Sequence, residues 1–341
     1  MNVLAIADAF VPETVLRDAL SRLHPSRLRI VEWSCQDVAQ LHHRTRRIEQ
    51  LGPDAEPPPP ETIRFAAEAE VIVTHLCPIS SMLIRQAPNL QVVGVCRAGT
   101  ENIDRQALES RGIRLCHVPG RNAVAVAEFT IGLIIAECRN IARAHGSIKS
   151  GGWRKQFINS DQPAELAGKT VGLVGLGAVG QMVASRLAPF NVDLLAHDPQ
   201  QKPHIAQKHG GRMVPLDELL THSDIVSLHA RLAAEQAPLI GSRELRLMKG
   251  TACLINTARA RLVDHDALLR ALNERWIAGA ALDVFEEEPL PADSALRALD
   301  NITLTSHLAG STQEAFHRSA YLLVDAILRA LPSSPEQEPH S

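Results

Sequence analysis

The chain has 341 residues, 45% of them hydrophobic and 21% charged, with a formal net charge of −3 at pH 7. That length allows two cores of ordinary domain size. The near-neutral balance lacks the clustered basic surface that nucleic acid requires, so no nucleic-acid partner is expected, and Arg44–Arg47 reads as a solvated helix face. The longest apolar stretch, Ala123–Cys138, is interrupted by Glu128 and Thr130 and is too short to span a bilayer, so no membrane partner is expected either. Six cysteines at 35, 77, 96, 116, 138 and 253 form no CxxC pair. That scatter suits reduced thiols and a cytoplasmic protein without a metal site. Asp8 breaks the first apolar run, so no secretory leader is expected.

Strand-like runs recur through the first third at Val3–Ala7, Leu28–Trp33, Val71–Thr74, Val92–Val95 and Ile113–Cys116. Helix-period segments separate them; in Pro12–Leu23, for example, Leu16, Leu20 and Leu23 share a face. Gly52-Pro53 and Pro57–Pro60 mark a loop. The strongly apolar Asn122–His145 reads as one buried connecting helix, and Gly151–Trp153 and Ser160–Pro163 as surface loop. A second series of strands follows at Val171–Val174, Val192–Ala196, Ile225–Leu228, Cys253–Asn256, Ile277–Leu282 and Ile302–Thr305. Thr312–Leu331 reads as a final amphipathic helix, and 332–341 as a disordered tail. Strands alternating with helical patterns imply α/β architecture with two doubly wound, mostly parallel sheets.

Glycine distinguishes the two series. The first opens Ala7-Asp8-Ala9, without a glycine turn. The second opens Val171–Gly180, with Gly175 placed for a tight strand-to-helix turn, Gly177 for close approach of backbone to a pyrophosphate, and Gly180 for helix–strand packing. The helix beginning at Ala178 and Val179 would offer free N–H groups and a positive dipole end to phosphates. Asp198 ends a strand about 20 residues later, where a carboxylate binds ribose hydroxyls and repels a 2′-phosphate. The expected cofactor is NAD rather than NADP.

Three polar residues, Arg259, Glu288 and His307, follow the last three strands. Ligands of open α/β sheets bind beyond the carboxyl ends of strands. A guanidinium there can hold a carboxylate bidentately, and a carboxylate partner fixes an imidazole's tautomer for proton transfer to a carbonyl oxygen. The three read as a catalytic set for a 2-oxo or 2-hydroxy acid.

With these residues in place, the chain resembles the D-isomer-specific 2-hydroxyacid dehydrogenases, the NAD-dependent family that includes glyoxylate/hydroxypyruvate reductases and 3-phosphoglycerate dehydrogenases. The matching motifs are Arg97–Asp104, Pro119–Glu128, Gly175–Gly180, Ser227–Ala230, Ile255–Arg259, Ala281–Pro289 and Thr305–Gly310. The resemblance implies a flavodoxin-like substrate domain, 1–119 plus 311–331, and a Rossmann NAD-binding domain, 120–310. Hinges would lie near Pro119–Asn122 and Ser306–Gly310. It implies that Arg259 binds substrate, that His307 is the acid/base and that Glu288 supports it. The cofactor set would be Gly175, Gly177, Ala178, Val179, Gly180, Asp198, His229, Ala230, Thr257, Ala258, Arg259, Asp283, His307 and Gly310, with Asp283 holding the nicotinamide amide. On the substrate side stand His75, Leu76, Arg97, Ala98, Gly99, Thr100 and Arg259. A homodimer paired through the NAD-binding domain is also implied.

Several positions depart from the family pattern. His75-Leu76 stands where phosphoglycerate dehydrogenases carry Arg-Ser, which disfavours a phosphorylated substrate. Ala260 and Arg261 replace glycines, and Arg231 replaces a proline. Arg97 and Arg121 add two cations near the substrate loop, suited to an extra anionic group or several hydroxyls, or to interdomain pairing. Phosphite oxidation shares the Arg/Glu/His set, whereas formate dehydrogenases pair the histidine with glutamine. A non-catalytic NAD-sensing corepressor-type binding protein is the reading from another class.

Overall fold

The computed structural model describes residues 1–159, 165–231 and 236–331. The chain divides into two compact units, one comprising Met1–Arg121 together with the segment from Gln313 onward, the other Asn122–Thr312.

The first unit holds five strands, β1 (Asn2–Ala7), β2 (Arg27–Glu32), β3 (Val71–Thr74), β4 (Val92–Val95) and β5 (Arg114–His117). They lie in the order β2-β1-β3-β4-β5 with every pairing parallel. This is the flavodoxin-like doubly wound order. Each strand lies within a residue of the run that marks it in the sequence. Burial on both faces explains the near-continuous apolar character of β1, β3 and β4. Alternate residues serve opposite faces: Val3, Ala5, Val71 and Val73 pack with Leu16, Leu20, Leu323 and Ile327, whereas Leu4, Ile6 and Ile72 pack with Leu41, Ile48 and Leu83. The final helix, Gln313–Ala330, thus belongs to this core. A Cβ at Gly94 of β4 would lie 3.0 Å from Leu323, so the absence of a side chain there lets that helix seat.

The second unit holds β6 (Thr170–Val174), β7 (Asp193–His197), β8 (Arg212–Met213), β9 (Ile225–Leu228), β10 (Cys253–Asn256), β11 (Gly279–Leu282) and β12 (Ile302–Leu304). Their order is β12-β11-β10-β9-β6-β7-β8, again all parallel, with the topological switch between β6 and β9. This is the Rossmann arrangement extended by one strand. The two-residue β8, an edge strand, leaves no readable pattern in the sequence.

One element differs from expectation. The segment 122–145 is not one buried helix but two, Ala123–Cys138 and Ile141–Lys149. They are separated at Asn140, which takes φ +53°, the left-handed region that asparagine tolerates better than most residues. The second helix buries no residue. The break is held by a buried ion pair: Glu137 accepts two bonds from Arg143 at 2.9 Å, plus one each from Asn159 and Thr303, while Arg143 also donates to Asn140. The loop expected at Ser160–Pro163 and the tail 332–341 lie outside the described residues. Among the described residues no helix is long and apolar enough to cross a membrane.

Candidate active site

Parallel register sets the carboxyl ends of β10, β11 and β12 side by side, Asn256 beside Leu282 and Leu282 beside Leu304. The residues just beyond those ends are therefore neighbours by construction. After β10, the buried Asn256 side chain closes a turn: its Nδ2 donates to the Arg259 carbonyl (2.9 Å) and its Oδ1 accepts from the Ala258 amide (3.0 Å). Thr257 is buried with its Oγ1 2.8 Å from that of Thr130. Arg259 is exposed. Its Nη1 donates to the Ala258 carbonyl at 2.7 Å, and it forms no ion pair among the described residues.

Beyond β11, Asp283 is fully buried and accepts from Thr305 Oγ1 (2.6 Å) and the amides of Leu308 (2.9 Å) and Ala309 (2.8 Å). One carboxylate thus ties the loop after β12 to the end of β11. In that loop His307 takes φ +58°, which costs a non-glycine residue about 1–3 kcal/mol and persists only where the surroundings impose it. Here the bonds to Asp283 impose it. His307 Nδ1 lies 2.8 and 3.0 Å from the two oxygens of Glu288, whose Oε1 also accepts the Phe285 amide at 3.0 Å. A carboxylate can only accept, so Nδ1 carries the hydrogen and Nε2 is the ring nitrogen left for chemistry. Gly310, at the end of the loop, packs against Asn122: a Cβ there would lie 2.2 Å from its Nδ2.

The glycine turn leaves β6 at the switch point. Gly175 takes φ +97°, and a Cβ there would lie 2.5 Å from the Ala230 amide nitrogen. At Gly180 a Cβ would lie 2.2 Å from the Gly175 carbonyl oxygen, whereas at Gly177 it would meet nothing within 4 Å. Two glycines are demanded by the protein itself. The third faces open space at the N-terminus of helix Ala178–Leu187, where Ala178 and Val179 carry free amides as any helix start does. Asp198 accepts from the Leu176 amide (2.8 Å) and the Gln200 amide (2.9 Å) and keeps partial exposure at the end of β7. This cradle fits a dinucleotide. His229, after β9, bonds Ser227 through Nε2 at 2.9 Å, and its buried Nδ1 has no partner among the described residues. Burial pushes this imidazole down to about 4. A cavity of about 330 Å³ lies on the loop side of β10 and β11, lined by Asn256, Leu282, Phe285, Leu290 and Leu296; neither Arg259, Glu288 nor His307 lines it.

In the first unit, His75 follows β3 and is buried, its Nδ1 3.1 and 3.2 Å from the Asp8 oxygens. Asp8 also accepts the amides of Phe10, Val11 and Leu76. Burial alone would raise Asp8, but His75 and the amides of Val11 and Phe10 hold it below the ordinary carboxylate range. Burial pushes His75 down, against the pull of Asp8 and with help from Arg121 and Arg97. Leu76 is buried. Arg97 pairs with Glu49 at 2.8 Å and with Glu101 at 3.4 Å. The Ala98 carbonyl accepts from His117 (2.8 Å), while the amides of Ala98, Gly99 and Thr100 find no acceptor among the described residues. Sequence reasoning missed Asp8 as the partner of His75. The only signal was a carboxylate interrupting an apolar strand end, and nothing local names its partner 67 residues away.

The description of the D-isomer specific 2-hydroxyacid dehydrogenase NAD binding domain matches residues 131–309, more than half of the chain. The chain belongs to this family. A glyoxylate reductase of Thermofilum pendens is 44% identical over 258 residues, 74% of this chain and 75% of that one. A D-3-phosphoglycerate dehydrogenase of Methanocaldococcus jannaschii is 37% identical over 274 residues, 80% of this chain and 51% of that one. The NAD-complexed D-isomer specific 2-hydroxyacid dehydrogenase of Lactobacillus delbrueckii ssp. bulgaricus shares the fold, with a TM-score of 0.77 at 21% identity over 98% of this chain and 99% of that one. The second unit of this 2-hydroxyacid dehydrogenase is an NAD-binding Rossmann domain, and the protein is an NAD-dependent oxidoreductase acting on small 2-hydroxy or 2-oxo acids.

Proposed function

We propose that the protein interconverts a D-2-hydroxy acid and its 2-oxo acid with Arg259, Glu288 and His307 as its catalytic set. Bound NAD(H) supplies the hydride acceptor or donor. Arg259, exposed and without an ion pair among the described residues, receives the substrate carboxylate bidentately. In the reduction, His307 passes the proton on Nε2 to the C2 oxygen, while Nδ1–H stays on Glu288; in the oxidation Nε2 takes that proton back. Asp283 acts in this reading as a positioning residue, setting the backbone of His307. Gly177 and the amides of Ala178 and Val179 face the pyrophosphate. Asp198 takes the ribose hydroxyls, and His229, Ala230, Thr257, Ala258 and Gly310 complete the cofactor wall.

The observation that carries the reading is the His307–Glu288 pair, held at the same sheet edge as Arg259 by a buried carboxylate. The test follows NADH oxidation with a panel of 2-oxo acids. His307→Ala should lower kcat by ~10²–10⁴-fold while NADH binding changes little. Near-full turnover in that variant, or no turnover of any 2-oxo acid by the parent, would refute the assignment. We infer further that the protein is a homodimer in the cytoplasm. Ile141, Ile148 and Trp153, which are 52%, 54% and 76% exposed in and after helix Ile141–Lys149, support pairing through the NAD-binding domain. The six free cysteines suit a reducing compartment.

A further inference from the structure

The cavity of about 330 Å³ beside the ends of β10 and β11 is not used by the chemistry above, since Arg259, Glu288 and His307 do not line it. It lies wholly within the second unit, bounded by helix His265–Asn273 and by the chain that runs on from β11 to Leu296. Its lining includes the buried Leu268, Leu282, Val284 and Leu296, with the half-buried Phe285 beside them. Packed interiors hold few voids larger than a water, and small-molecule sites begin at about 300 Å³, mostly apolar with a few polar groups. The polar group here is Asn256, which is 1% exposed and also lines the cavity. It spends one amide hydrogen and one lone pair on the turn after β10, and the second of each has no partner among the described residues.

Charge on the lining selects the occupant. Glu286, Glu287 and Asp293 are exposed and form no ion pair among the described residues. Arg297, on the same stretch of chain, donates instead to the carbonyls of Pro291 and Leu290. An apolar interior with an anionic rim is complementary to an organic cation. It repels carboxylates and phosphates, so neither a 2-oxo acid nor a dinucleotide suits it. A bare inorganic cation would leave the apolar surface uncovered. Two walls of the cavity also carry bonds to the catalytic set. The Phe285 amide donates to Glu288 Oε1 at 3.0 Å, and the Asn256 side chain holds the Arg259 carbonyl and the Ala258 amide. A ligand packed against Phe285 and Asn256 therefore fixes the turns that present Glu288 and Arg259.

We propose that this cavity is an effector site for a small ammonium compound with an apolar body, and that its occupancy raises turnover. The kinetic half rests on the dehydrogenase reading above. The experiment is calorimetric titration of the purified protein with 2-phenylethylammonium, 2-phenylethanol and 3-phenylpropionate, which share a shape and differ in charge. The ammonium compound should bind about tenfold more tightly than the alcohol, the combined pull of three solvent-screened carboxylates, and the carboxylate most weakly. Glu286→Gln with Glu287→Gln, both exposed, should narrow that difference while leaving the alcohol's affinity and the unfolding temperature unchanged. Leu290→Trp, which fills the cavity from its half-buried wall, should weaken both compounds together. With saturating 2-phenylethylammonium, kcat on glyoxylate and NADH should rise about fivefold, the lower end of ordinary coupling between sites. Equal affinities for the three probes, or an ammonium preference untouched in the double glutamine variant, overturns the site. Displacement of the probe by NADH or glyoxylate does so too, since the probe would then occupy the cofactor or substrate cleft. Binding with kcat unchanged or lowered overturns the effector role. If the parent turns over no 2-oxo acid, the dehydrogenase reading falls, while the titrations still decide the cavity.

Discussion

Alanine at Gly177 and alanine at Gly180 should fail in opposite ways. At Gly177 the backbone is extended (φ −73°, ψ −159°), a conformation open to any residue, and an added Cβ meets no heavy atom within 4 Å. Stability should therefore change by less than ~1 kcal/mol, the balance of a slightly poorer helix cap and a less flexible unfolded chain. The methyl group does fill the space through which the helix start meets a pyrophosphate, so NADH affinity should fall at least ~10-fold, about 1.4 kcal/mol. At Gly180 the Cβ would sit 2.2 Å from the Gly175 carbonyl oxygen and 3.1 Å from its carbon. Gly175 has little room to retreat, because its amide bonds the His197 carbonyl at 2.8 Å. Forcing backbone apart in a packed core costs about 1–3 kcal/mol or more, which for a domain of this size lowers Tm by roughly 3–10 °C. Thermal unfolding without cofactor and titration of NADH fluorescence separate the two effects. If Gly177→Ala binds NADH as tightly as the parent, or Gly180→Ala unfolds at the parent temperature, the division of labour among the three glycines is wrong.

Two further predictions concern charge. Asp198→Asn keeps an acceptor for the Leu176 amide but removes the anion, so the preference for NADH over NADPH should narrow by about tenfold or more; an unchanged ratio of the two KM values would remove Asp198 from cofactor choice. His229 gives the apoprotein a pH signature. Its folded value of about 4 lies below the ordinary 6.5, so between those limits the unfolded chain binds the proton and the native protein does not. Stability should thus be full above about pH 6.5, fall as pH drops through that window by roughly 3 kcal/mol, and level off below about 4. Urea unfolding of the parent and His229→Gln at pH 7 and 4.5 reads this directly; identical pH dependence in the two proteins would dismiss the mechanism.

Both sheets were legible because parallel strands buried on two faces leave short apolar runs that polar residues rarely interrupt, and β3, β4, β9 and β10 match those runs residue for residue. The glycine turn was legible because its constraints are local. Gly175 needs positive φ, and Gly180 meets a carbonyl only five positions away. Asn140 was not legible. Good helix formers flank it, and a single left-handed residue breaks the helix only because Glu137 and Arg143 are bonded around it. The short β8 escaped notice because two residues at a sheet edge carry no periodicity.

The sequence by itself determined which residues could do chemistry: an arginine, a glutamate and a histidine after successive strands, in a chain that also carries a dinucleotide turn. Spacing along the chain suffices for that, since strand ends recur in order. Only the tertiary structure decided which polar groups answer one another. Asp283 turns out to bind the loop that holds His307 in an unfavourable backbone conformation. Asp8 orients His75 from 67 residues away, and His75 and Arg121 share the Phe316 ring although 241 residues separate His75 from Phe316. Hydrogen bonds and ring contacts act over a few ångströms of space, and a linear pattern records nothing of that separation until the chain has folded.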